Sequence, residues 1–191
     1  RKGKAFAKLY EIRPTFEHHP DAINLDIALY SAKTAFERLE GRTFAALDEA
    51  ERGEYGQAAK DVVDSVIYLA GFAGSFQTDT GYYSFAHPFY HISARFPSTR
   101  HRLHGEKVAY GIVAQLFLEG KDRDYTSETV RIFAKYGNAF TLEEIGLRRE
   151  DTDVLYDLAG QIKTDFPYVT WSEDEIVDAL LSADTLTKEV R

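Results

Sequence analysis

Six histidines stand in this 191-residue chain, and four of them crowd into two short runs, Phe85-Ala86-His87-Pro88-Phe89-Tyr90-His91 and Arg100-His101-Arg102-Leu103-His104-Gly105-Glu106. His87 and His91 are four apart and share one face if the segment is helical, while His104 opens the next apolar-periodic stretch. A helical hairpin would bring His87 and His104 together. Two imidazoles from neighbouring helices can chelate a divalent ion and leave positions for a carboxylate and a substrate oxygen. The alternative is that they are partly buried polar residues satisfied by backbone groups and carboxylates. His101 reads as an exposed loop residue, and His18-His19 before Pro20 as a helix-entry loop.

The elements that must position these groups are helical. Few segments alternate with period two, and long stretches place apolar residues three and four apart with Gly and Pro at the joints. The pattern predicts helices over Asp21 to Leu39, stopping at Gly41, and over Gly56 to Gly71. A loop follows from Gly71 to Gly81. Further helices are expected over Tyr82 to Phe96, Leu103 to Leu118 and Thr126 to Tyr136. In the second of these, the small residues Ala109, Gly111 and Ala114 point to close helix packing. Thr141-Leu142-Glu143-Glu144 has the pattern of a capping box opening a short helix before Gly146. Asp151 to Lys163 and Ser172 to Lys188 finish the chain, the last with Glu173, Asp174 and Glu175 favouring the helix dipole. With no composition shift and no repeat, the expectation is an all-α bundle in one domain spanning 1–191. The aromatic crowd from Phe72 to Tyr90 reads mostly as core.

Composition bounds the rest. With 23 Lys+Arg against 31 Asp+Glu, the net charge of -8 argues against a polyanion-binding surface, so nucleic acid is not an expected partner. Cysteine is absent, which excludes disulfides and thiolate metal clusters and fits a cytoplasmic setting. No apolar run approaches the ~18 residues of a membrane span, and the start lacks a signal-like core. Methionine is absent even at position 1, which reads as a processed chain or an excerpt of something longer.

The run His104-Gly105-Glu106-Lys107-Val108-Ala109-Tyr110-Gly111-Ile112-Val113-Ala114-Gln115 closely resembles a signature of the glycerol dehydrogenase branch of the iron-containing alcohol dehydrogenases. The resemblance implies that His104 is a ligand of a catalytic zinc or iron. Ala86-His87 matches an upstream ligand histidine, although the spacing to His104 is one residue shorter than the family's. Thr141 to Leu147 resembles the family's short late helix. The likeness therefore covers nearly the whole chain, as the C-terminal metal- and substrate-binding domain of such an enzyme. It implies an NAD(P)-dependent dehydrogenase of alcohols, polyols or hydroxy acids. A nucleotide-binding domain, of the same or another chain, would be its partner.

Two departures bear on this. Arg1-Lys2-Gly3-Lys4-Ala5-Phe6-Ala7-Lys8-Leu9-Tyr10-Glu11 aligns with the family's third-ligand segment, but Lys4 stands where the family has aspartate. A protonated lysine cannot ligate a cation and repels one. Either the metal is lost or residues 1–4 are not native sequence. The glycine-rich nucleotide half is also missing from this chain, so it is not expected to bind NAD(P) tightly or to turn over by itself. Tyr90 stands where the family has its second helical histidine, and His91 is one past it. Both are candidates for a substrate cleft, with packing as the other role of Tyr90. Glu106 and Lys107 are candidates for steering His104, or else residues of a solvated first turn. A non-catalytic helical module explains both departures, and a dehydroquinate synthase-like cyclase shares the His-Gly-Glu motif. Assembly into a homo-oligomer stays open.

Overall fold

The computed structural model describes residues 2–75 and 83–191, with side chains from Ala5 onward, and contains helices but no strand among them. The all-α expectation holds. The chain groups into two compact units, 1–83 and 84–191.

The first unit is built on α2 (Ile23–Glu51), which packs against α1 (Lys2–His18) and against a third rod. That rod is α3 (Gln57–Asp64), a π-helical turn (Ser65–Leu69) and α4 (Ala70–Ala73). Leu25, Ala28, Ala32, Ala35, Leu39, Thr43 and Ala46 form the buried stripe of α2. This stripe corrects one expectation. The helix does not stop at Gly41, because Thr43 and Ala46 continue the apolar spacing, and one interior glycine costs only about 1 kcal/mol. It ends instead near Gly53, whose φ of 71° no other residue adopts cheaply. The Glu49 carboxylate then accepts from the Ala58 and Ala59 N–H groups at 3.2 and 2.7 Å and caps α3. The π turn lengthens the expected helix, and the Leu69 carbonyl accepts from the Ser31 hydroxyl at 2.9 Å. The expected loop therefore starts after Ala73, and its positions 76–81 lie outside the described residues. Helix α1 had no counterpart in the apolar periodicity, and it carries Pro14 inside it.

The second unit centres on α6 (His104–Leu118), apolar around most of its circumference because α5 (Ala86–Ser93), α7 (Arg123–Lys135) and α9 (Glu173–Val190) all pack on it. Helix α8 (Thr152–Asp165) packs on α5 and α9. The Tyr110 hydroxyl donates to the Leu180 carbonyl at 2.6 Å, and burial pushes its pKa well up. Asp184, fully buried on α9, accepts from the Leu142 N–H at 2.9 Å, from Arg149 at 3.1 Å and from Lys188 at 2.8 Å. The Ser172–Glu175 capping box opens α9.

Two expected elements are shorter. Helix α5 begins at Ala86, so Pro88 falls in its first turn, where the missing N–H has no intrahelical partner to lose. Thr141 and Glu144 make the reciprocal bonds of a capping box, at 2.8 and 3.3 Å, but they close a turn and not a helix. Gly146, at φ 91°, ends it at once.

Candidate functional site: the histidines between α5 and α6

The close approach of α5 to α6 is a consequence of Gly111. A Cβ there would lie 2.9 Å from the Ala86 Cα and 3.2 Å from both the Ala86 carbonyl oxygen and a Phe89 ring carbon. Gln115, one turn further along α6, accepts from the Phe85 and Ala86 N–H groups at 2.9 and 3.3 Å. The buried amide thereby holds the first turn of α5, and His87 is the second residue of that helix.

The histidine of α6 is fixed from its own end. Glu106 accepts from the Leu103 N–H at 2.9 Å, half of a capping box, since the leucine side chain has nothing to return. Glu106 thus shapes the turn that carries His104. The preceding corner is held by Lys107, only 2% exposed, whose ammonium donates to the Thr99 hydroxyl at 3.1 Å. Burial lowers the Lys107 pKa, opposed by Glu106. The same ammonium lies 5.9 Å over the Tyr90 ring.

These supports bring the sequence-derived candidates together. The His87 and His104 rings lie 5.3 Å apart between centroids, inclined at 57°. The Tyr90 ring stands 3.9 Å from the His104 ring, edge to face, and 6.4 Å from His87. His91 lies 6.1 Å from His87 and stacks on Phe166 at 6.0 Å, on the solvent side of the cluster. Its pKa is lowered by partial burial, then by His87 and Arg95. His101 is exposed. In the other unit, His18 ends α1 and stacks on Tyr83 at 4.1 Å, and its Nδ1 is 2.8 Å from the Pro14 carbonyl. Lys4 is in the first turn of α1, and its side chain lies outside what the structure describes.

Among the described residues, no three His, Asp or Glu side chains converge as a metal-holding group. The donor set of the cluster is two imidazoles with an aromatic wall. Gln115 is the support that motif reading passed over, whereas Lys107, read with Glu106 as a residue that steers His104, does hold the preceding corner. A polar side chain on an otherwise apolar helix was the available signal, because burial demands a partner for it.

No family model matches this chain. Individual proteins do. It is 29% identical over 166 residues to a glycolaldehyde reductase of Halobacterium salinarum, covering 84% of this chain and 44% of that protein. It is 26% identical over 166 residues to glycerol dehydrogenase 1 of Schizosaccharomyces pombe, covering 84% of this chain and 36% of that one. Over most of its own length this chain is similar to glycerol dehydrogenases. Its similarity supports an alcohol- or polyol-dehydrogenase-family domain and spans less than half the length of those two relatives. The fold agrees: a solved glycerol dehydrogenase of S. pombe superposes with a TM-score of 0.83 at 22% identity, covering 98% of this chain and 50% of that one. Among the described residues, no helix is long and apolar enough to cross a membrane.

Proposed function

We propose that the chain supplies the metal- and substrate-binding half of an NAD(P)-dependent dehydrogenase acting on small alcohols, polyols or hydroxy acids. The observation that carries this reading is the apposition of His87 and His104 across α5 and α6, 5.3 Å between ring centroids. Two imidazoles at that separation fit two of the three protein ligands that a catalytic zinc or iron needs. The third, an aspartate in the family resembled, is replaced by Lys4 in the sequence. The fit is therefore incomplete on this chain, and no reaction step is derived through the metal. Such an ion, when bound, lowers the pKa of a coordinated alcohol.

The chain's own residues do the positioning. Gly111 and Gln115 hold His87, while Glu106 and Lys107 hold the turn of His104. Tyr90 covers one side of the His104 ring. His91, with Phe166 behind it, stands at the rim where a polar substrate would enter. NAD(P) belongs to the nucleotide-binding partner domain.

Zinc titration by calorimetry tests the proposal. His104→Ala and His87→Ala are each expected to weaken binding at least about tenfold, and Lys4→Asp to strengthen it. Zinc affinity indifferent to both histidines would refute it. Lys4 also favours a second reading, a non-catalytic helical module. That reading predicts negligible zinc uptake by the chain and by Lys4→Asp alike.

A further inference from the structure

The first unit carries on α2 a seam, apolar at Ile23, Ile27, Tyr30 and Phe44, that its own core does not use. Along α2, Ile23, Ile27, Tyr30, Thr34, Glu37, Gly41, Phe44 and Asp48 follow one another at alternating steps of four and three. This is the spacing of a coiled-coil seam. They lie opposite the buried stripe, with Ile23 and Tyr30 each 74% exposed and Phe44 47% exposed. A shallow groove of about 520 Å³ runs along the middle of the seam between Tyr30 and Gly41. A Cβ on Gly41 would meet nothing within 4 Å, so a recess lies open there.

We propose that this seam docks against the same seam of a second copy, the two α2 helices antiparallel about a two-fold axis passing between residues 35 and 36. The order of the residues is complementary about that point in the middle of the seam, while at its ends Ile23 falls on Asp48 of the second copy. Tyr30 falls on the recess at Gly41 of the second copy, Ile27 on its Phe44, and Thr34 on its Glu37. An isologous contact makes each of these pairs twice. The flank agrees in charge. Lys33 and Glu40 lie on the same side of the seam, and the two-fold brings Lys33 level with Glu37 and Glu40 of the second copy, giving two equivalent cation–carboxylate contacts. A parallel pairing in register would set like charges side by side and large residues against each other.

The size of the contact sets its strength. From Ile23 to Asp48 a helix rises about 38 Å, and at a width of about 10 Å the contact covers on the order of 400 Å² per copy. A stable interface covers about 800 Å² per partner. The dimer is accordingly weak, with a Kd on the order of 10–100 µM.

Sedimentation velocity on the full chain from about 1 to 300 µM reads this directly. The chain is expected to shift from monomer to dimer across the range, and Tyr30→Glu to remain monomeric with an unchanged helical circular dichroism spectrum. Lys33→Glu places like charges opposite each other and should weaken the dimer about tenfold. The Lys33→Glu, Glu40→Lys double variant restores opposite charges between positions 33 and 40 but leaves Glu37 opposite the new carboxylate at position 33, so it should recover part of the lost affinity. A chain monomeric at about 300 µM, a dimer untouched by Tyr30→Glu, or a double variant no better than Lys33→Glu would each overturn the proposal. The first of these would assign the seam to a different partner.

Discussion

Gly111 and Gly41 are both helical glycines, and the structure predicts opposite outcomes when each becomes alanine. At Gly111 the new methyl meets the α5 backbone, 2.9 Å from the Ala86 Cα. Carbon atoms rest at about 3.5 Å, so α5 and α6 must part by roughly 0.6 Å, and backbone atoms cannot turn aside as a side chain would. Overpacking of this kind costs about 1–3 kcal/mol, against about 1 kcal/mol gained from replacing glycine inside a helix. The net expectation is a loss of about 0–2 kcal/mol. At Gly41 nothing stands within 4 Å, so Gly41→Ala keeps the helical gain of up to about 1 kcal/mol. Urea unfolding of both variants, at about 1 µM to avoid self-association, measures the difference. Imidazole NMR supplies a second readout, since Gly111→Ala should move the His87 and His104 ring signals and Gly41→Ala should not. If Gly111→Ala stabilises as much as Gly41→Ala, the close packing of α5 on α6 is refuted, and with it the account of how the two histidines meet.

Other outcomes follow from the supports. Gln115→Ala strands two buried N–H groups at the start of α5 and should cost about 2–4 kcal/mol in urea unfolding. A loss below about 0.5 kcal/mol would show that α5 does not depend on that amide. Gly146→Ala meets both a φ of 91° and the Ser98 carbonyl oxygen, so a loss of about 2 kcal/mol or more is expected. Asp184 carries a pH dependence. Burial acts to raise its pKa, but hydrogen bonds from Lys188, the Leu142 amide and Arg149 outweigh burial and hold it below the ordinary value. A carboxylate depressed in the folded state contributes stability above its unfolded pKa of about 3.9 and loses it as pH falls through the folded value. Asp184→Asn should therefore be less stable at pH 7 by about 1–3 kcal/mol, and its stability should fall less steeply than wild type below about pH 4. Parallel acid profiles for the two proteins would contradict this.

How much was legible in the sequence depended on whether a feature is local. Helical periodicity is local, so α6, α7, α8 and α9 were placed within a few residues, and the pairing of His87 with His104 followed from one helical hairpin. Helix ends were less legible. Gly41 resembles a stop signal, but the helix continues because buried Thr43 and Ala46 outweigh the small cost of one glycine. Thr141 and Glu144 form the bonds of a helix start, and Gly146 prevents the helix.

Composition and spacing alone determined the helical class and the absence of thiol chemistry, and the family resemblance singled out the two histidines worth testing. Tertiary structure decided what holds them. Gln115 reaches back to Phe85 and Ala86, some thirty residues away, and Lys107 reaches Thr99 because the 97–99 corner folds against α6. Tyr90 sits against His104 only because Gly111 lets α5 approach. These are contacts between segments whose sequences carry no mark of each other, so only packing could join them. Likewise the seam of α2 is written in its spacing, but which of its faces the core consumes is settled by the helices that pack on it.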